Sequence, residues 1–329
     1  MTGPPGLSEP PGRAQDPAGG QAPGSPGPGG GRAAPGTGRA GHAGPAVLVL
    51  TGIVSVQLGA GLATRLFSDL PAAAVTGLRL WCAAIVLLIV GFRGPNGLAA
   101  VAREVVRNRA WRDAAVVGSF GLCLGVMNFV FYQAIARVPL GVAVTVEFLG
   151  PLAVAVAGSR RLVDLLWVAL AAAGVFLLTG DGTTHLDLAG IGFAGASAAC
   201  WAAYILLSAA TGRRFGGSSG LVIAMVAGAV VVTPAAAVTA NRSLLRPAVL
   251  GTGAAVGVLS SALPYGLELR ALRRLPTRIF GIWMSLEPAV AALIGLALLG
   301  QRLSAAEWTA VGCVVIASVG AALAVPGRG

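Results

Sequence analysis

Lysine is absent from this 329-residue chain, and histidine occurs twice, at His42 and His185. Charged residues make up only 11% of the sequence, where an average soluble domain carries about a quarter. There is no phosphate-binding Gly-x-x-x-x-Gly-Lys-Ser/Thr loop, so the chain encodes no ATP motor. There is no His-Glu-x-x-His helix, and neither histidine falls in an apolar run, which excludes a Ser/His/Asp arrangement within a membrane. The four cysteines, Cys82, Cys123, Cys200 and Cys313, each lie inside an apolar stretch with no Cys-x-x-Cys spacing. They read as small apolar side chains in lipid or helix contacts rather than metal or redox groups. No pattern calls for a cofactor or a metal. Any energy for work on a solute must then come from a gradient.

What is present is apolar. Hydrophobic residues reach 56% and the mean hydropathy is +0.81. Apolar stretches of 18 or more residues recur along the chain and predict transmembrane helices. We place ten of them, at roughly 45–66, 71–92, 114–136, 139–158, 162–179, 188–209, 220–239, 248–269, 279–299 and 306–325. The expected fold class is an all-α integral membrane protein. Residues 1–44, rich in Pro, Gly and Ala, hold too few large apolar side chains to offset the entropy of ordering, and are expected to be a disordered tail. The first apolar run starts too late to be a secretory signal.

The net charge of +11 comes from arginine alone. In a chain of this class, arginine loops mark the cytoplasmic face, and no nucleic-acid partner is expected. With the N-terminus inside, the inner loops collect Arg93, Arg103, Arg107, Arg109, Arg112, Arg160, Arg161, Arg213, Arg214, Arg270, Arg273, Arg274 and Arg278. The outer loops hold Arg65, Arg137, Arg242, Arg246 and Arg302. Both termini are therefore expected in the cytoplasm.

An internal repeat is visible. Ala134-Ile135-Ala136-Arg137-Val138-Pro139 is echoed by Ala271-Leu272-Arg273-Arg274-Leu275-Pro276, and a second proline follows each after twelve residues, Pro151 and Pro288. Gly121/Gly125 and Gly253/Gly257 form matching Gly-x-x-x-Gly pairs. Five spans per repeat invert the second copy, giving halves at 45–180 and 188–325 with a site near the midplane between them.

Polar residues inside spans carry the chemistry. Arg79, Glu147 and Glu287 fall near span centres, where an ionised group costs at least about 2.5–3.5 kcal/mol. Such groups face a cavity, a partner or a proton path; a structural ion pair between Arg79 and one glutamate is the plainer alternative. Both glutamates adjoin helix breakers, Gly150 and Pro151 in one case and Pro288 in the other. Proline frees carbonyls of the preceding turn, and in a membrane these are tolerated where they line a cavity. A carboxylate beside free carbonyls suits an ammonium group, and a buried carboxyl also suits proton carriage. The alternative is a packing kink. Gln57, Asn128, Tyr132, Gln133, Trp201, Tyr204, Ser260, Ser261 and Tyr265 are candidates for the same cavity wall, although the aromatic residues could equally anchor at the interface. Glu268 beside Arg270 reads at least as well as a surface ion pair.

Several runs resemble the drug/metabolite transporter superfamily in its ten-span EamA branch. They are Val146-Glu147-Phe148-Leu149-Gly150-Pro151-Leu152-Ala153-Val154-Ala155, Ser159-Arg160-Arg161, Val163-Asp164, Ala199-Cys200-Trp201-Ala202-Ala203-Tyr204-Ile205-Leu206, Ser261-Ala262-Leu263-Pro264-Tyr265-Gly266-Leu267-Glu268, Arg274-Leu275-Pro276-Thr277-Arg278 and Met284-Ser285-Leu286-Glu287-Pro288-Ala289. The resemblance spans residues 45–325. It implies a secondary transporter of the bacterial inner membrane that exports small neutral amino acids of the threonine/homoserine type by alternating access, with protons as coupling ion. Export of another metabolite or drug, and a non-transporting scaffold or sensor, are the competing readings. A membrane enzyme acting on lipids would need a catalytic dyad or metal cluster at one interface, and the sequence offers neither.

Overall fold

A backbone surrounded by hydrocarbon must satisfy its own N–H and C=O groups, and a helix does this within one segment. The computed structural model is accordingly helical, with no strand among the described residues. It describes residues 40–92, 111–157, 164–180, 187–215, 219–272 and 274–324, which all belong to one compact unit. A few side chains within these ranges, Tyr265 and Glu268 among them, fall outside the description. So does most of the tail expected at 1–44, although the first helix already begins at Ala40.

The helices are α1 (Ala40–Arg65), α2 (Ala72–Phe92), α3 (Trp111–Ile135), α4 (Leu140–Glu147), α5 (Leu149–Ala157), α6 (Asp164–Gly180), α7 (Leu188–Gly212), α8 (Ser219–Thr239), α9 (Pro247–Gly257), α10 (Leu263–Leu272), α11 (Thr277–Met284), α12 (Glu287–Leu299) and α13 (Ala305–Ala324). Among the described residues, eight segments are long and apolar enough to cross a membrane: α1, α2, α3, α4 with α5, α7, α8, α11 with α12, and α13. The spans expected at 162–179 and 248–269 correspond to shorter apolar helices, Asp164–Leu178 and Pro247–Ser261. The second of these is interrupted by a π-turn over Val258–Ala262 that joins α9 to α10.

Small residues set the packing. The Gly121/Gly125 pair lets α3 ride on the backbone of α8. A Cβ on Gly121 would stand 2.9 Å from the carbonyl oxygen of Ala224, and one on Gly125 would stand 2.7 Å from that of Gly228. Gly253 and Gly257 do the same for α9 on α2, meeting Leu78, Cys82 and the backbone of Ala83. Gly141 brings α4 onto Ala292 of α12. Without hydrophobic driving force in lipid, close backbone approach of this kind drives helix association. Large apolar side chains such as Ile85, Leu166, Phe176, Leu206 and Ile316 lie exposed on the outside, as suits a lipid-facing surface.

Two chain ends are tied by local chemistry. Gly300 closes α12 in the left-handed region at φ 67°, which a residue without Cβ adopts freely. Four residues on, Ser304 and Glu307 exchange hydrogen bonds, Ser304 N to Glu307 Oε2 at 2.6 Å and Glu307 N to Ser304 Oγ at 3.2 Å, a capping box that starts α13. Gln301 Oε1 accepts from Leu140 N at 2.9 Å and so fixes the start of α4 against the end of α12.

Candidate functional site

The two broken helices frame a cavity. Each begins after a proline with extended backbone, Pro139 before α4 and Pro276 before α11, runs eight residues, breaks, and resumes. The first break is one residue, Phe148, and the second is two, Ser285 and Leu286. Pro151 has no N–H for the carbonyl of Glu147, and Pro288 has none for that of Met284. Glu147 therefore ends α4, while Glu287 opens α12. The two carboxylates stand at different places relative to their breaks, so they are not exact counterparts.

A cavity of about 240 Å³ lies between the helices. Gln57, Arg79, Asn128, Tyr132, Glu147, Trp201, Tyr204, Ser260 and Glu287 all line it. These come from seven helical elements. Val56, Ala60, Met127, Phe131, Pro264 and Met284 complete the wall. Glu147 and Glu287 are both buried, at 9% and 6% exposure. Ser197 Oγ lies 2.5 Å from Glu147 Oε1 and 3.3 Å from the carbonyl of Met127, so its single hydrogen can serve either. Gln57 Nε2 donates to Glu287 Oε1 at 3.0 Å.

Arg79 is held by a polar frame rather than by a carboxylate. Its Nε donates to Ser260 Oγ at 2.7 Å, Nη2 to the Ser260 carbonyl at 3.3 Å, and Nη1 to Asn128 Oδ1. Asn128 is itself fixed by donating Nδ2 to the carbonyl of Leu124 at 2.8 Å. The guanidinium carbon sits 5.3 Å from the centroid of the Tyr132 ring, a cation–π placement. Among the described residues, no glutamate forms an ion pair with Arg79, the plainer alternative.

The frame follows from the π-turn. Leu263 N donates to the carbonyl of Val258, one residue further back than in an α-helix. The carbonyl of Leu259 is left over, and Ser55 Oγ of α1 donates to it at 2.6 Å. Pro264 has no N–H to offer the carbonyl of Ser260, and Arg79 takes that one. The site therefore uses backbone groups that a regular helix would have consumed.

Other candidates stand apart from the wall. Gly150 is a packing position, where a Cβ would come within 2.2 Å of the Ala198 carbonyl oxygen. Pro151 and Pro288 act behind the wall through the carbonyls they free. Gln133 is bound to Arg137 at the end of α3, at 2.8 Å. Ser261 is buried without facing the cavity. Tyr265 and Glu268 lie on α10, and their side chains are outside the described residues. Ser55 and Ser197 escaped sequence reading. A serine in an apolar span usually bonds its own preceding turn, and nothing local marks these two as bridging helices.

Fold and site define a multi-pass membrane protein with a polar, charge-bearing cavity enclosed by apolar helices. The model of the EamA-like transporter family matches residues 188–323. The chain is 41% identical over 283 residues to the threonine/homoserine exporter RhtA of Escherichia coli K12, covering 85% of this chain and 92% of that one. The same figures hold for RhtA of Salmonella typhimurium LT2. An uncharacterized transporter of Bacillus subtilis, YwfM, is 26% identical over 227 residues, covering 66% and 75%. One solved crystal structure superposes with a TM-score of 0.58 over 87% of this chain and 98% of its own, at 18% identity, a likeness of fold. The chain belongs to the EamA-like transporter family and is a transporter, not an enzyme.

Proposed function

We propose that this protein exports small neutral amino acids of the threonine/homoserine type across the bacterial inner membrane. The observation that carries this reading is the charge content of one small cavity: a guanidinium, Arg79, and two carboxylates, Glu147 and Glu287, share its wall. A zwitterion carries the complementary charges. Three of the five N–H donors of Arg79 are used by Ser260 and Asn128, which leaves two for a substrate carboxylate. Glu147, beside the carbonyl freed by Pro151, suits the substrate ammonium, and Glu287 is the second ammonium or proton group. The identity of 41% to exporters of threonine and homoserine supports the same substrate class. The volume of about 240 Å³ falls below the range usual for drug-sized ligands, which argues against the drug-export reading.

The mechanism is alternating access by two inverted five-helix halves, 45–180 and 188–325, with ten spans and both termini in the cytoplasm. The paired breaks after Pro139 and Pro276 support the repeat, and the contact of α4 with α12 at Gly141 and Ala292 gives the halves a crossing point. Protons couple by exchange at a glutamate: the carboxyl binds either a proton or the substrate ammonium, and the two loads favour different facings. Cells that overproduce homoserine test the reading. Expression of the chain should raise extracellular homoserine, and Glu147→Gln should return it to the level of cells without the protein. An unchanged level with the wild-type chain correctly inserted in the membrane would sink the substrate assignment.

A further inference from the structure

Among the described residues, the hydroxyl of Tyr132 and the amide oxygen of Gln57, both from the cavity wall, have no hydrogen-bond partner. Tyr132 is 1% exposed and its hydroxyl is bonded to nothing among the described residues. Gln57 is 2% exposed; its amide nitrogen is spent on Glu287, and its carbonyl Oε1 is equally unpartnered. Native proteins rarely leave buried polar side chains unpaired, and here two sit in the wall of one cavity. The Tyr132 ring is held by the edges of Phe67 and Phe131 and by the guanidinium of Arg79, so its place in the wall is fixed.

The chemistry of the missing partner can be narrowed. Gln57 Oε1 only accepts, so the ligand group must donate, which excludes a carboxylate. An ammonium held by Glu287 could reach Gln57 Oε1, but beside Tyr132 it would meet the guanidinium that already lies 5.3 Å from that ring centroid, so it does not serve both atoms. A methyl group would leave both atoms unpaired. A hydroxyl donates and accepts at one atom, so it can give its hydrogen to Gln57 Oε1 and take that of Tyr132. We propose that Tyr132 and Gln57 are specificity-determining residues that read the side-chain hydroxyl of the transported amino acid. The inference rests on the exporter reading above and adds to it a reason why hydroxy amino acids are preferred over apolar ones of equal size. A site built around a substrate hydroxyl penalises an analogue that lacks it, because the site's own groups then stay buried and unpaired.

2-Aminobutyrate is both threonine and homoserine without the hydroxyl, so one control serves both. The full chain in proteoliposomes should transport threonine and homoserine in preference to 2-aminobutyrate, and Tyr132→Phe should reduce that preference by about tenfold, the worth of one good hydrogen bond. The substitution removes an unpaired hydroxyl, so thermal stability in detergent should not fall. Threonine should raise the wild-type melting temperature more than 2-aminobutyrate does, and that difference should shrink in Tyr132→Phe. A Tyr132→Phe protein that keeps the full preference overturns the inference and leaves the exporter reading intact, as does a wild type that treats threonine and 2-aminobutyrate alike. A wild type that moves neither hydroxy amino acid overturns both.

Discussion

At the scale of single residues, Arg79 is the cation around which the polar groups of the cavity are arranged. Its guanidinium reaches two acceptors on Ser260 and one on Asn128 while lying over Tyr132. A lysine carries the same charge but lacks the planar fork, so it can satisfy only part of this frame. Arg79→Lys is expected to fold and to lose at least about tenfold in transport at limiting substrate, the worth of roughly 1.4 kcal/mol in binding. Uptake kinetics that show an unchanged apparent affinity would place Arg79 outside the binding site. Arg79, Asn128, Glu147 and Glu287 could be picked from the sequence, because a charge or amide in an apolar span is costly and needs a reason. Ser197 could not: it carries no charge, and only the packing of α7 against α3 and α4 brings its hydroxyl to Glu147.

At the scale of elements, two devices position the site. One is the Gly-x-x-x-Gly pair on α9. A Cβ on Gly257 would stand 2.8 Å from Cys82 Cβ and 3.2 Å from the carbonyl of Arg79 itself. Gly257→Leu should therefore push α9 from α2 and cost about 1–3 kcal/mol as overpacking. A drop in melting temperature in detergent, together with loss of transport, is the expected result. The other device is the π-turn at Val258–Ala262. The sequence pointed to helix breaks at Pro151 and Pro288 but not to this one. The register shift itself was not legible, since it depends on Ser55 and Arg79, about 200 and 180 residues away, supplying donors for the released carbonyls. Replacing Ser55 by Ala leaves the buried carbonyl of Leu259 without its donor. About 1–3 kcal/mol of destabilisation should follow, and melting curves of Ser55→Ala would reveal it; no change would mean that another donor holds that carbonyl.

At the scale of the molecule, the loops between spans form two sets. One set is tied by Arg246–Asp69 at 2.8 Å, Arg137–Asp187 at 3.8 Å and Arg65 Nη2 donating to the carbonyl of Leu298 at 2.7 Å. Asp113–Arg214 at 3.1 Å joins the opposite ends of α3 and α7. The groups are exposed or partly exposed, so each ion pair contributes about 0–1 kcal/mol. The expectation of an all-helical membrane fold came through because apolar length is a one-dimensional property. The count of ten spans rests on 162–179 and 248–269, where the apolar helices found are shorter. In the mechanism proposed above, a proton gradient drives a zwitterion through a cavity in which Glu147 binds either load. Efflux of labelled threonine from proteoliposomes, with and without an imposed proton gradient, for wild type and Glu147→Gln, tests it most directly. The account predicts efflux that the gradient accelerates and that the substitution abolishes; efflux by Glu147→Gln with an undiminished response to the gradient would contradict it.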